Sequence, residues 1–480
     1  MNRFAMLVLV AALAGCGVGN DSSRASTVVV PALEPWMEPV PKAACGPDDP
    51  VETGLQGQVS SADRASGRSL ESFSCNLELV GQYAGEGASW QLAWYDDCAY
   101  YDTATGRAPQ SGSAKAAQQH PGVAVIDVSD PAAPVATAFL ATSAMIDPWE
   151  SLKVADKRGL LGAANSYNGT GNPDLDLYDV SGDCTQPRLI SSAPVAPQGE
   201  AAGHEGNFSQ DGFTYYIGDR ARQHYVAIDV TDPAQPQRLL SWPNLGTTHG
   251  LSTNVAGTRA YFSRAANSAG VPNGIVIADT SQVQARQPDP DISVISELYW
   301  TDGGQAQQTL PIFIGGTAFV LQVDELGKGA ARLINIADET KPAIASRLML
   351  EVHDPANADA TAEASEGTIF GYEGHYCGVD SMENTRVVAC GYFQSGLRVF
   401  DVRNPYKPRE IAYYNPPGSP GYKPGSNFNL TGECGTVDWA SSMTRIDLAR
   451  GEIWFTSQCN GFQVVRFTRP LAELLGPVVE

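Results

Sequence analysis

Residues 397–409 read LRVFDVRNPYKPR. Leu397 and Val399 alternate with polar residues, and the backbone runs on through Phe400–Val402 at the period of two that marks a β-strand. Asn404-Pro405 then closes it, because Asn followed by Pro occupies the first two positions of a type I turn, and Pro408 keeps the chain extended beyond. The phrase recurs. GVAVIDVSDPAAP (122–134), YVAIDVTDPAQP (225–236) and RLINIADETKP (332–342) place Asp127, Asp229 and Asn335 where this copy has Asp401. In all four copies a proline follows seven residues later (Pro134, Pro236, Pro342, Pro408), so register is kept as well as composition. Looser copies centre on Asp179 (DLDLYDVSGDCTQP, with one residue inserted before Pro187), on Asp279 (GIVIADTSQVQ) and on Arg466 (GFQVVRF).

These seven copies are spaced 50 to 66 residues apart, at or above the roughly 40–50 residues of a propeller blade. Between copies lie further strand-like runs, such as Thr214–Ile217, Arg259–Phe262 and Arg386–Cys390, and another follows each copy, such as Val135–Leu140 or Arg409–Tyr413. Each repeat therefore predicts about four short strands and no helix. So small a sheet buries neither face alone, and radial stacking answers both that and the edge-strand liability. The expected fold is all-β, a seven-bladed β-propeller. The last copy ends in TRPLAELLGPVVE and lacks a following strand, whereas Leu77–Tyr83 (LELVGQY) stands before the first full repeat and is similar in composition to REIAYYN. The N-terminal strand is expected to complete the last blade.

The phrases GVAVIDVSDPAAP, YVAIDVTDPAQP and LRVFDVRNP resemble the LVIVD repeat of bacterial secreted and surface proteins, over nearly all of residues 72–467. The resemblance implies a β-propeller and carries no catalytic residues with it. The copies at Asp279 and Arg466 depart from its pattern.

At the other end, Met1–Gly15 carries one basic residue, Arg3, and an apolar run from Phe4 to Leu13, too short for the ~20 residues that span a bilayer and suited to a signal peptide. Leu13-Ala14-Gly15-Cys16 looks like the lipobox of bacterial lipoproteins, in which the cysteine is lipidated because a thiolate attacks the lipid donor readily. Gly17 follows where inner-membrane retention favours Asp, so the expected address is the outer membrane, with the chain held there through lipid on Cys16, facing either the periplasm or the cell surface. Residues 1–15 thus read as signal peptide, 16–71 as a Ser-, Pro-, Gly- and Asp-rich tether, and 72–480 as one propeller. A formal charge of −22 repels phosphate backbones, so no nucleic-acid partner is expected.

Nine cysteines less Cys16 leave eight, an even number in an exported chain. Cys377 and Cys390 flank a turn around Glu383-Asn384, and Cys434 and Cys459 flank one near Ala449–Gly451, so both pairs are expected as disulfides. The spacings of Cys45, Cys75, Cys98 and Cys184 leave their partners open. No CxxC supports cysteine ligation of a metal.

Three of the six histidines fall at comparable places. His204, His249 and His375 precede their repeat's landmark residue by 25, 30 and 26 positions, near the start of an innermost strand, and Glu150 and Glu433 have similar offsets. In a ring such starts converge on the axis, where imidazoles and carboxylates suit a divalent transition metal such as Zn, Cu or Fe. The structural alternative is that each histidine holds a neighbouring blade's backbone. Asp174, Asp176 and Asp179 alternate like calcium ligands but lack the glycine turn and closing Glu of an EF-hand loop. No GxSxG, HExxH, P-loop or strand-to-helix GxGxxG occurs. The expected function is a non-enzymatic scaffold whose loops bind a protein or glycan partner, with a metal-dependent enzyme of oxidation or hydrolysis using the histidine-lined channel as the alternative.

Overall fold

The computed structural model describes residues 37–103, 120–164, 174–195, 203–219, 224–243, 248–265, 272–365, 369–420, 423 and 434–478. Cys16 and Glu433 lie outside the described residues.

Among the described residues, six antiparallel sheets of four strands and one of five form seven blades, each running from an inner strand to an outer one, in chain order except for the outer strand of the last. Blade 1 comprises Leu92–Tyr95, Cys98–Tyr101, Val123–Asp127 and Val135–Leu140, and blade 2 Lys153–Ala155, Leu160–Ala164, Asp174–Asp179 and Arg188–Pro194. Blade 3 comprises Glu205–Phe208, Thr214–Asp219, His224–Asp229 and Gln237–Pro243, and blade 4 Thr248–Thr253, Arg259–Arg264, Asn273–Asp279 and Ser293–Trp300. Blade 5 is Ala306–Ile314, Thr317–Asp324, Ala331–Asn335 and Ala343–Arg347, and blade 6 is Tyr376–Val379, Val387–Tyr392, Gly396–Asp401 and Arg409–Asn415. Blade 7 takes Arg445–Asp447, Glu452–Ser457 and Gly461–Phe467 from the C-terminal end. Its fourth strand is Leu77–Tyr83, in register from Leu77 opposite Phe467 to Tyr83 opposite Phe462.

The recurring phrase is the third strand of each blade together with its exit turn. The landmark carboxylate or amide caps that turn. Asp127, Asp179, Asp229 and Asp279 accept the backbone N–H two residues on at 2.8–2.9 Å, and Asn335 does so at 2.9 Å and Asp401 at 3.1 Å. This Asx geometry stops the strand, and a second one follows at Asp130, Asp183, Asp232, Asp338 and Asn404. A one-residue bulge interrupts every pairing of third with fourth strand, which adds the local twist a propeller blade needs.

Period-two alternation along these strands divides side chains between two neighbours rather than between core and water. Val123 and Val125 enter the cluster shared with blade 2, while Ala124 and Ile126 enter the cluster shared with blade 7. Seven such clusters, one between each adjacent pair of blades, run round the ring. The cluster joining Leu92, Ala99 and Ile126 to Trp454, Phe462 and Val464 closes the circle. Exposure rises towards the outer strands, as in Val135–Leu140, where alternate residues face water.

Where a tether was expected, residues 37–75 are packed against the rim of blades 5 and 6. Phe73–Cys75 adds a fifth strand to blade 6 by pairing with Tyr413–Asn415. Val40 and Leu55 join the blade 5–blade 6 core. Glu52 reaches Arg398 at 2.8 Å, and Arg398 in turn meets Glu410 at 3.1 Å and lies over the Tyr413 ring. A buried guanidinium on the third strand of a blade needs carboxylates for neutralisation, and the incoming segment supplies one of them. Low overall hydrophobicity hid this, because the anchoring is ionic and concentrated in a few residues.

Four disulfides are present. Cys377–Cys390 and Cys434–Cys459 pair as expected, and the remaining four resolve as Cys45–Cys75 and Cys98–Cys184. Cys98–Cys184 joins blade 1 to the exit turn of blade 2 across 86 residues of chain, so it restrains the unfolded chain more than the others. In the chain-entropy picture such a loop contributes about 4–5 kcal/mol. The double variant Cys98→Ser, Cys184→Ser should lose about 2–5 kcal/mol in denaturant titration, and an unchanged midpoint would remove this bridge from the stability account.

His353 is a buried histidine with both ring nitrogens employed. Nδ1 accepts the Leu350 N–H at 2.9 Å, and Nε2 faces the Tyr372 carbonyl at 2.8 Å as donor. A second proton would oppose an N–H, and burial, reinforced by the cations Arg347, Arg398 and Lys328, lowers its pKa to about 3. The folded pKa is therefore below the unfolded one. Stability from this group is complete above about pH 6.5, and declines as pH falls because only the unfolded chain takes the proton. Between pH 6.5 and 5 the loss should be about 2 kcal/mol. Unfolding midpoints of wild type and His353→Gln at both pH values check this, the variant lacking that part of the slope.

Candidate metal centre at the propeller axis

The residues entering the innermost strands meet at one end of the axis. Glu150 precedes the first strand of blade 2, His204 that of blade 3 and His375 that of blade 6, while His249 is the second residue of blade 4's first strand. Neighbouring entries are laced together: Glu150 N–H donates to the His204 carbonyl at 3.3 Å, and Glu150 and Glu205 form a parallel bridge. At Gly250 a Cβ would lie within 2.5 Å of both the Gln307 carbonyl and the Glu205 carboxylate. Only glycine lets blades 3, 4 and 5 approach this closely.

Four of the five residues singled out from spacing thus sit together. His204 Nε2 and His249 Nε2 are 3.0 Å apart, and Glu150 Oε2 lies 3.1 Å from the first and 3.4 Å from the second. Glu150 Oε1 faces His375 Nε2 at 3.2 Å. A further carboxylate, Glu325, faces His249 Nε2 with Oε1 and His375 Nε2 with Oε2, both at 3.6 Å. The donors form two triads, Glu150–His204–His249 and Glu150–Glu325–His375, each with its atoms within 4.8 Å of one another. Bonds of about 2.1 Å at tetrahedral angles place ligand atoms about 3.3–3.4 Å apart, which matches the tighter triad.

Glu325 escaped the sequence reading because it follows the second strand of blade 5, Thr317–Asp324, and not a first strand. Blade 5 places Gln305, Gln307 and Gln308 where blades 3, 4 and 6 carry histidine. Gln307 Nε2 donates to Glu150 Oε1 at 3.0 Å and to the Tyr376 hydroxyl at 2.9 Å, and its buried Oε1 has no partner. A Glu closing the second strand of the repeat that lies between two histidine-bearing blades was the available signal.

The imidazoles are oriented from behind. His249 Nδ1 is 2.9 Å from Glu205 Oε2, and His375 Nδ1 is 2.5 Å from the Ser441 carbonyl. An Nδ1–H donated to a carboxylate or carbonyl leaves Nε2 as the lone pair pointing at the centre, the arrangement typical of metal-binding histidines. Those lone pairs face carboxylate oxygens, so a cation must stand between them, either a proton or a metal ion. Burial favours neutral His375, but hydrogen bonds to Glu150 and Glu325 outweigh it and raise its pKa to about 9. Burial likewise favours a protonated Glu150, yet His249 and His204 hold its carboxyl well below the ordinary range.

Around this core lie Lys153, whose Nζ donates to Gln91 Oε1 and to the Glu150 carbonyl at 2.9 Å each, and Glu205. Burial pulls Lys153 down to about 8 and pushes Glu205 up to about 8, each offset in part by the other. Trp90, Trp149, Phe370 and Phe393 form an aromatic wall, with Trp90 and Phe393 ring centroids 5.0 and 4.9 Å from that of His375. His249, His375, Glu150 and Glu325 are buried, and His204, with 17% of its side chain exposed, is the member that meets solvent.

The other sequence candidates are occupied. Asp176 is fully buried and accepts the N–H of Ala144 and Met145, Asp174 accepts from Ser143, and Asp179 caps its turn and meets Arg188. They hold a loop rather than line a cation site.

No family model and no curated protein sequence matches the chain. Among solved structures it is similar to hydrazine synthase of Kuenenia stuttgartiensis, at TM-score 0.50 and 11% identity over 81% of this chain and 97% of that one. It is also similar to the periplasmic gluconolactonase PpgL of Pseudomonas aeruginosa, at TM-score 0.47 and 12% identity over 70% and 95%. At these identities the likeness is one of fold, and the chain is a seven-bladed β-propeller.

Proposed function

We propose that this protein is a metal-dependent enzyme whose centre is the axial cluster of His204, His249, His375, Glu150 and Glu325, carried on an exported lipoprotein anchored through Cys16. The observation that carries this is the pairing of aimed Nε2 lone pairs with anchored Nδ1 atoms in a buried site. A scaffold that binds a protein or glycan through its surface loops has no use for three buried, mutually facing imidazoles and two carboxylates. Imidazoles mixed with carboxylates suit Zn, Fe, Co or Mn. A metal ion there would activate a bound water or polarise a substrate oxygen, for hydrolysis or oxidation. The residues' own parts are separable: His249 and His375 supply donors, Glu205 and the Ser441 carbonyl hold their rings, and His204 stands on the side from which substrate arrives.

Chelator-washed full chain, reloaded with zinc(II) and desalted, should retain close to a whole number of ions per chain by elemental analysis. Retention below a tenth of an ion per chain, repeated with cobalt(II) and manganese(II), would sink the reading and leave the histidines as ring-holding groups.

A further inference from the structure

We propose that the centre is dinuclear, with Glu150 and Glu325 each bridging two metal ions. The proposal rests on the metal-centre reading above and concerns its nuclearity. Both carboxylates turn one oxygen to each side. Glu150 Oε2 faces His204 and His249 while its Oε1 faces His375. Glu325 repeats the pattern, Oε1 towards His249 and Oε2 towards His375.

Donors to one ion lie within about 4.2 Å of one another, twice a bond of about 2.1 Å, and the five residues do not form one such group. The donors instead fall into two triads that share Glu150 as their common member. Two syn-bridging carboxylates hold a pair of ions about 3.5–4 Å apart, the spacing at which two metals clamp the attacking and leaving oxygens of one substrate. The first ion would take His204, His249 and the two carboxylates. The second would take His375 and the same carboxylates, one protein nitrogen fewer. Gln307 supplies the deficit. Its amide sits on that side, 3.2 Å from His375 Nε2 and 3.0 Å from Glu150 Oε1, and its fully buried Oε1 lacks a partner. Turning the amide over presents that oxygen as a ligand. The substrate class that fits is one with two oxygens to clamp, such as a phosphate ester or a carboxylate ester, arriving on the His204 side.

The test is cobalt(II) loading of the chelator-washed full chain, read by elemental analysis after desalting and by low-temperature EPR. Wild type should retain two cobalt ions per chain, and its EPR intensity per cobalt should fall as the second equivalent is added, because bridged ions couple. His375→Ala should retain one, with an uncoupled signal, and Gln307→Leu should weaken the second equivalent at least tenfold while leaving the first. Saturation of wild type at one uncoupled cobalt overturns the dinuclear proposal and leaves the metal-centre reading standing. Retention of none overturns both. Circular dichroism and the unfolding midpoint of each variant show that a lost ion is not a lost fold.

Discussion

His249→Ala should lower metal affinity at the axis by at least about a hundredfold, with the propeller still folded. The magnitude follows from what this one ring does. Its Nε2 stands 3.0 Å from His204 Nε2, 3.4 Å from Glu150 and 3.6 Å from Glu325, so it meets three of the four other donors, as many as Glu150 does and more than any other imidazole. Losing an outer partner of a ligand typically costs 10–100-fold in affinity, and losing the ligand itself costs more. Glu205→Gln makes the comparison internal to the protein. It keeps the shape behind His249 but weakens the hold on Nδ1, so a loss of about 10–100-fold is expected there. Calorimetric titration with zinc(II) measures both. Equal affinities in wild type and His249→Ala would remove His249 from the centre, and unfolding of the alanine variant without any metal present would point to the structural role instead.

Gly81→Val should destabilise the protein by about 2–4 kcal/mol, and a chain starting at Ala84 should fail to give a cooperative fold. Gly81 sits in the closing strand at its bulge, opposite Val464. A Cβ there would run into backbone of the blade 1 turn, at Pro131 and 2.8 Å from the Ala132 carbonyl carbon. Backbone cannot swing aside as a side chain can, so either the strand lifts from Gly461–Phe467 or the turn moves. Both outcomes open the seam between blades 7 and 1, where Trp454, Phe462 and Val464 pack on Leu92, Ala99 and Ile126. Truncation goes further, exposing the whole edge of the Gly461–Phe467 strand together with that cluster. Guanidinium titration followed by tryptophan fluorescence reads the first variant, and size-exclusion behaviour the second. A truncated chain with the wild-type transition would mean that the ring does not depend on its first strand.

These two variants probe things of different legibility. Blade count, strand order within a blade and the closing strand were readable because each is encoded locally. Asp or Asn at the end of the third strand in blades 1 to 6 caps its own turn within two residues, and the proline seven positions later in four of them needs no distant partner. The chain then states the same local instruction six times. The docked segment before Phe73 was not readable, since its attachment depends on Arg398 and Glu410, more than 340 residues away along the chain.

The sequence by itself determined the ring: its class, its number of blades, the way it closes, two of its four disulfides, and the inner-strand offsets that singled out His204, His249, His375 and Glu150. Tertiary structure alone decided that these four meet, that Glu325 joins them from a second strand, that Gln307 stands in for a missing histidine, and how Cys45, Cys75, Cys98 and Cys184 pair. The physical reason is one of range. Turn caps and period-two burial act between residues a few positions apart, whereas Glu150 and His375 are 225 positions apart and come within hydrogen-bonding distance only after the four blade contacts between blades 2 and 6 have set the curvature of the ring.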